Sequence, residues 1–462
     1  MLTSKDPAVQ LLLDRAELHD LQMTYSKAVD SRDWDLLRTV WVEQDFHARY
    51  REDFTTIEGV AKMISGVARF HTTYHFMGNQ MLEVTGNEAT TKTFAMLTHH
   101  FTVDGRENEF NVLRGKYLDK LRRVDGHWRI YDRNAPPDWT YVGVTKASSS
   151  DPAVRLLLDR AEIRDVAMQY ALGIELGDWD RVRRCLAPDL VVNQDNGMTK
   201  TTADQYVDAL RSATERYDFN RHFLGSHLVA VSGDEAEMAC YAMVTHSRDD
   251  KLTGEKHEWT DPSVRYVNKL VRTGGRWVIS EWGAELGDGK AATSLPTSQD
   301  PAVQHLLDRA AIGDVIARLS HGVDDRNDDL VRSCFAPKFQ ATLNGKSLTD
   351  LDELIGHIKS TVEDYDTTTH FLGNQLIDIR GDEAAVDTYS YVTHRDSPGT
   401  PFSDWTKGGM RYVDKLVRSG DRWLIRERTT TTNQTDIDGH TIRAFPAYGL
   451  AKPLQESVSD LP

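Results

Sequence analysis

Three ionisable positions recur along the chain in a fixed order. A carboxylate closes a helical stretch at Asp30, Glu175 and Asp324. A histidine follows at His75, His222 and His370, and a second histidine at His99, His246 and His394. A carboxylate beside an imidazole fixes its tautomer and raises its basicity, which makes a general base poised near neutral pH. A second histidine across a pocket then serves as the acid, protonating a leaving oxygen or polarising a carbonyl. Such a set suits proton abstraction beside a carbonyl followed by elimination or migration, and it requires no cofactor. Taken singly, the same residues have plainer readings. A histidine at a strand start is often structural, and an Asp before Arg-Asp-Trp is often a turn former. A 2-His-1-carboxylate iron site uses the same residue types, but these candidates lie far apart in sequence, and the expectation is no metal and no cofactor. Recurrence of the whole set favours a role, although recent duplication also preserves residues.

The elements that must position these residues repeat as well. Asp6-Pro7-Ala8-Val9, Asp151-Pro152-Ala153-Val154 and Asp300-Pro301-Ala302-Val303 each open a run ending in Leu-Asp-Arg-Ala, and the period is about 145–149 residues. That period is far too long for a solenoid, so the repeats are whole domains, expected over residues 1–146, 147–296 and 297–462. In each, Asp caps a first helix with Pro in its first position. A second short helix begins at Asp33-Trp34, and a third is expected over residues 57–70. Strands should follow, with tight turns at Gly86-Asn87, Gly233-Asp234 and Gly381-Asp382 and a last hairpin at Asp125-Gly126, Gly274-Gly275 and Gly420-Asp421. Helices first and antiparallel strands after is an α+β order. The linkers, residues 146–150 and 294–299, are small and polar, and the tail after Arg428 is Thr-rich.

Length and composition agree with this division. The chain has 462 residues, enough for about three cores, with 39% hydrophobic and 27% charged residues, as in a soluble globular protein. A net charge of −16 argues against a nucleic-acid partner, which would need a basic stripe. No apolar run is long enough to span a bilayer, and the opening residues show no secretory pattern. Cys185 and Cys334 share one repeat position, where the first copy has Val40, which reads as a small buried apolar site. With Cys240 they make no disulfide framework, and a reducing cytoplasm fits best.

The motif Tyr-x-x-x-x-Asp-x-Arg-Asp-Trp (residues 25–34), the His-Phe-x-Gly run at His75 and the closing Tyr-x-Asp…Gly-x-Trp resemble the SnoaL-like family of the nuclear-transport-factor-2-like fold. Its members include scytalone dehydratase, hexachlorocyclohexane dehydrochlorinase and bile-acid 7α-dehydratase. The resemblance covers nearly all of each copy. It implies a curved antiparallel sheet wrapped on helices, a cone with an apolar pocket inside. By this resemblance Asp30 and His75 match the proton-abstracting dyad, and His99 matches the second histidine of scytalone dehydratase. Tyr25 matches a tyrosine of the bile-acid enzyme, Arg133 an active-site arginine, and Tyr50 a scytalone dehydratase tyrosine. Tyr117, Tyr266 and Tyr412 are expected to line the pockets with Tyr50. Val29 departs from scytalone dehydratase, which has a tyrosine there, so a different substrate is expected.

The copies differ. The first has Tyr25, Asp30, His75, His99 and Arg133. The second has Tyr170, Glu175, His222 and His246, but Trp282 in the arginine position. The third has Asp324, His370, His394 and Arg428, but Leu319 in the tyrosine position. Glu in place of Asp moves the dyad by about an ångström, enough to cost rate. The first copy is therefore expected to be active. The family's lyases commonly form trimers, so the three fused domains are expected to make a pseudo-trimer, each tail helping to close a neighbour's pocket. The function read from the sequence is a cofactor-independent lyase, isomerase or cyclase, dehydratase-like, acting on a small apolar carbonyl or hydroxy compound of secondary metabolism. A non-catalytic carrier of a small hydrophobic ligand is the main alternative, and a purely structural assembly module the third.

Overall fold

The computed structural model describes residues 2–135 apart from 51, 71 and 104–105, residues 147–283 apart from 195–196, 218 and 250–255, and residues 295–437 apart from 344, 364 and 397–404. Each copy opens with a long helix: α1 (Pro7–Ser31), α4 (Pro152–Leu176) and α7 (Pro301–Asp324). Asp6, Asp151 and Asp300 cap them as the sequence implies, each accepting from the second and third backbone N–H groups, with Pro in the first turn, where no donor is needed. Arg32 at φ 59° and Gly177 at φ 64° end the first two in the left-handed conformation, which returns the last carbonyls to backbone partners. Short helices α2 (Trp34–Thr39), α5 (Trp179–Arg184) and α8 (Asp328–Arg332) follow, then α3 (Ile57–Ile64), α6 (Ala203–Thr214) and α9 (Leu351–Val362). The first copy's third helix is shorter than expected, because residues 65–69 tighten into a 3₁₀ turn.

The strands of the first copy are β1 (His47–Arg49), β2 (Asp53–Phe54), β3 (Thr72–Thr85), β4 (Glu88–Val103), β5 (Arg106–Val124) and β6 (His127–Asn134), in sheet order β2-β1-β6-β5-β4-β3. In the second copy, β7 (Leu186–Gln194), β8 (Gly197–Thr202), β9 (Phe219–Ser232), β10 (Glu235–Asp249), β11 (Lys256–Thr273) and β12 (Arg276–Trp282) take the same order. So do β13 (Phe335–Leu343), β14 (Lys346–Leu348), β15 (Tyr365–Arg380), β16 (Glu383–Asp396), β17 (Trp405–Ser419) and β18 (Arg422–Ile437) in the third.

The α+β class stands, with one correction to the sheet. It is mixed, because β1 pairs parallel with β6 through Ala48 and Arg133, as do β7 with β12 and β13 with β18. The first strand pair also lies between the helices rather than after them. At three residues, β1 carries too little alternation to read as a strand from sequence. The closing tryptophans Trp128, Trp277 and Trp423 are buried at the centre of their cores. Cys185, Cys240 and Cys334 are buried and free, and no helix among the described residues is long and apolar enough to cross a membrane. The tail from residue 438, expected to close a neighbour's pocket, and most of the expected linkers' boundaries at 146 and 294 lie outside the described residues.

The copies touch through equivalent residues in a closed ring. Arg15 pairs with Asp165 at 2.8 Å, Arg160 with Asp314 at 2.5 Å and Arg309 with Asp20 at 2.7 Å. The Pro-Ala-Val helix starts cluster together, burying Val9, Val154 and Val303. The phenylalanines of the three His-Phe motifs meet: Phe76, Phe223 and Phe371 have ring centroids 5.4–5.5 Å apart. The glycine two residues later in each motif makes room for them. A β-carbon on Gly78 would stand 2.5 Å from Phe223, one on Gly373 2.5 Å from Phe76, and one on Gly225 2.4 Å from the Leu372 carbonyl oxygen and 2.6 Å from Phe371. Because a backbone oxygen cannot step aside, Gly225→Ala is expected to cost about 1–3 kcal/mol through overpacking. Thermal unfolding of the full chain checks this, and an unchanged midpoint would mean the copies are not packed this closely.

Candidate active site

The last turn of α1 and the start of β3 bring Asp30 and His75 together. Nδ1 of His75 lies 2.6 Å from Asp30 Oδ1, and the His75 backbone N–H donates to Oδ2 at 2.9 Å. A carboxylate only accepts, so Nδ1 carries the proton and Nε2 is the ring's acceptor nitrogen. Both side chains are nearly sealed from solvent, at 4% and 7% exposure. The third copy repeats the geometry: His370 Nδ1 lies 2.6 Å from Asp324 Oδ1, the backbone N–H donates at 2.9 Å, and the Thr368 hydroxyl adds a bond at 3.1 Å. Burial alone would raise the Asp324 carboxyl, but the charge and hydrogen bonds of His370, with the Tyr241 hydroxyl, hold it below its ordinary value. In the second copy Glu175 accepts from the His222 backbone N–H at 2.8 Å. Burial, then the His246 charge, push His222 down to about 3, so it is neutral at pH 7.

The second histidines sit on the neighbouring strand. His99, His246 and His394 lie opposite Thr73, Asn220 and Thr368, each two residues before the first histidine. For His246 and His394, alternation along the strand puts the side chain on the face of the first histidine. In the third copy the rings of His370 and His394 are 6.4 Å apart at 80°. The His99 side chain lies outside the described residues. His246 donates from Nδ1 to Asn220 Oδ1 at 2.6 Å and stacks on Tyr217 at 4.4 Å, while His394 stacks on Tyr365 at 4.5 Å. His394 is pushed down to about 4, by burial first and then by His370, and its Nδ1 is buried with no hydrogen-bond partner among the described residues.

The expected tyrosines and arginine of the first copy form one cluster. Tyr25 and Tyr50 share a hydrogen bond at 3.2 Å, and the Arg133 guanidinium lies 4.2 Å from both the Tyr25 and Tyr117 ring centroids. Arg133 donates from Nε and Nη2 to Asp119, both at 2.7 Å, and from Nη2 to Gln22 at 3.0 Å. Nη1 is left as the donor without a partner among the described residues, with Tyr50 close to the guanidinium. Asp119 thus neutralises the charge of Arg133, and the two N–H groups of Nη1 are left over from these pairings. Burial pushes the Tyr25, Tyr50 and Tyr117 phenols upward, so they stay protonated and can donate.

The other copies rebuild this cluster differently. In the third, Arg428 pairs with Asp414 at 2.7 Å and lies 4.6 Å from the Tyr412 ring. In the second, Tyr170 bonds Tyr206 at 2.8 Å, and Trp282 packs on Tyr206 and Tyr266 beside buried Asn268. Sequence reasoning did not pick out Asp119, Asp414, Gln22, Tyr206, Tyr217, Tyr365 or Asn220. A signal for the first two was present. Where Tyr-x-Asp keeps its Asp (Asp119, Asp414) an arginine follows (Arg133, Arg428), and where it becomes Asn268 the partner becomes Trp282.

The sequence matches the SnoaL-like domain family over residues 10–134, 155–283 and 304–429. The chain belongs to this family. Solved structures match one SnoaL-like copy at a time. They include a putative scytalone dehydratase from Novosphingobium aromaticivorans (24% identity, 31% of this chain and 96% of that one, TM-score 0.26) and hexachlorocyclohexane dehydrochlorinase LinA type 2 (17%, 31% and 96%, 0.27). A protein of unknown function from Mycobacterium tuberculosis matches at 22% identity over 33% of this chain and 89% of that one, with TM-score 0.26. Comparison with curated proteins found no match.

Two outcomes follow from this geometry. Arg133→Met leaves the Asp119 charge buried and uncompensated, which should cost about 3–5 kcal/mol. The pair Arg133→Trp with Asp119→Asn, copying the second copy, should recover most of it in chemical denaturation. Equal losses for both variants would show that the ion pair is not what matters. For pH, the folded state holds His394 at about 4, against about 6.5 unfolded. The unfolded chain therefore binds more protons in that window. The stability linked to neutral His394 is full above pH 6.5 and is lost as pH falls through 4. Replacing it by His394→Asn should flatten the stability-against-pH slope between those values, and an unchanged slope would contradict this assignment.

Proposed function

We propose that this SnoaL-like chain is a cofactor-independent lyase or isomerase of the dehydratase type, acting on a small apolar carbonyl or hydroxy compound. The observation that carries the reading is the carboxylate–imidazole contact at 2.6 Å, made twice, at Asp30–His75 and Asp324–His370, each with the backbone N–H on the second carboxylate oxygen. In both, Nδ1 is tied to the carboxylate, and Nε2 is the atom to take a proton from a carbon acidified by a neighbouring carbonyl. The carboxylate orients the ring and steadies the imidazolium that forms. His99 and His394 would then serve the leaving oxygen or the carbonyl. Tyr25, as a protonated phenol, and the two Nη1 N–H groups of Arg133 would steady negative charge developing on oxygen in the first copy.

The cyclic Arg–Asp pairing supports reading the chain as a pseudo-trimer, with a dyad in the first and third domains. The second site favours another use. Glu175 in place of Asp, a strongly depressed His222 and the Trp282–Asn268 replacement make a more apolar and less basic pocket, suited to holding a hydrophobic ligand.

NMR of hydrogen–deuterium exchange α to the carbonyl tests the main reading, on a panel of hydroxy-ketones in D2O. Wild type should exchange, and His75→Ala and His370→Ala should each remove part of the rate, about 10²–10⁴-fold at the altered site. His222→Ala should leave exchange nearly unchanged. Ligand binding that survives all three changes, with no exchange on any panel member, would replace the enzyme by a carrier.

A further inference from the structure

The strand that bears each first histidine is the edge of its sheet. Its outer N–H and C=O groups therefore need partners from outside the sheet. At the histidine these groups are met in turn. The His75 N–H goes to Asp30 of its own copy. The next two outward groups, the His75 C=O and the Met77 N–H, are met by one side chain of the third copy. Asn374 Nδ2 donates to the His75 carbonyl at 2.8 Å, and Asn374 Oδ1 accepts from the Met77 N–H at 2.6 Å. Nδ2 also donates to Ser26 Oγ on α1 at 2.6 Å, so the amide joins strand and helix one turn before Asp30.

The same wiring recurs one step round the ring. Ser226 of the second copy donates from Oγ to the His370 carbonyl at 2.9 Å and accepts from the Leu372 N–H at 2.8 Å. Asn374 and Ser226 occupy one repeat position, directly after the motif glycine, and both are buried. Each can reach its neighbour because its strand breaks register there, between Leu372 and Gln375 in β15 and between Gly225 and Leu228 in β9. Such bulges re-aim side chains. Ser226 sits at φ 51°, which turns its shorter side chain toward the neighbour.

We infer that each dyad is positioned in trans: Asn374 of the third copy holds His75, and Ser226 of the second copy holds His370. They are positioning residues, because they touch the histidine's main chain and not the reacting atoms. The groups around the carboxylates support the same assignment. Tyr241 and Arg265 of the second copy lie in the field of Asp324, and Tyr389 and Arg411 of the third copy lie in the field of Asp30. Around Asp30 the facing charges are Lys27 on its own helix, 3.4 Å from Asp387, and Arg411, 2.6 Å from that same Asp387. The first copy stands in the same relation to the second, with Gly78 against Phe223 and Lys92 within the field of Glu175. A change in one copy therefore acts on the next site and not on its own.

This inference rests on reading Asp30–His75 and Asp324–His370 as the working dyads, and the experiment separates the two claims. The full-length chain, labelled with 15N-histidine, is compared with Asn374→Ala, Ser226→Ala and Asn374→Ser, following the Nδ1–H resonances of His75 and His370 and the hydroxy-ketone exchange rate. Asn374→Ala should shift the His75 resonance and strip its protection from solvent while leaving His370 in place, although residue 374 lies four positions from His370 in sequence. Ser226→Ala should do the reverse. The rate at the affected site should fall about 10–100-fold, as for an ångström-scale displacement of a catalytic group. Asn374→Ser keeps one donor and one acceptor, so it should retain the His75 signal even if the alanine variant does not fold. Perturbation of the histidine in the mutated residue's own copy, of both equally, or of neither, would overturn the inference. The expected pattern of resonances with no exchange in wild type would leave the positioning intact and remove the proton-abstraction reading instead.

Discussion

Asp30 accepts two hydrogen bonds from a single residue, one from the side chain of His75 and one from its backbone. That double grip closes the end of a long helix onto the edge of a sheet and sets the imidazole's tautomer in the same act. Asp324 and His370 do the same. The rest of each domain can be understood as what this clasp requires. The helix must be capped and long enough to bring its last turn to the sheet edge, and the sheet must curve over it with a buried tryptophan beneath.

A clasp made at a sheet edge leaves the edge's other polar groups to be satisfied, and here the solution involves the neighbouring copy. The glycine of the His-Phe-x-Gly motif admits the next copy's phenylalanine, and the residue after it reaches the next copy's histidine strand. One short motif thereby supplies the clasp histidine of its own domain and packs into the next. Fusing three copies in one chain also lets them diverge separately. The buried Arg133–Asp119 and Arg428–Asp414 pairs persist in two, while the second replaces both partners together with Trp282 and Asn268. Removing the two members of a buried ion pair together avoids stranding a charge, which is why the change is found as a pair.

The repeat, the Asp-Pro helix starts, the turn glycines and the recurring carboxylate and histidines were all legible in the sequence, because each depends on local chemistry: a cap, a positive φ, an alternation of faces. The three-residue strand β1 was not, since it is too short to carry a pattern, and its parallel pairing with β6 makes the sheet mixed where an antiparallel one was expected. The sequence also placed Tyr25, Tyr50, Tyr117 and Arg133 as candidates without showing that they form one cluster, or that Asp119 neutralises the arginine.

By itself the sequence determined where the repeats, the helix starts, the turns and the recurring carboxylate and histidines fall, because caps, turns and alternation are local. Only the tertiary structure decided which copy serves which site. Asn374 lies close to His370 along the chain and yet bonds to His75, almost three hundred residues away. Hydrogen bonds at a sheet edge go to whatever group the packing of whole domains brings there, and no local spacing encodes that choice.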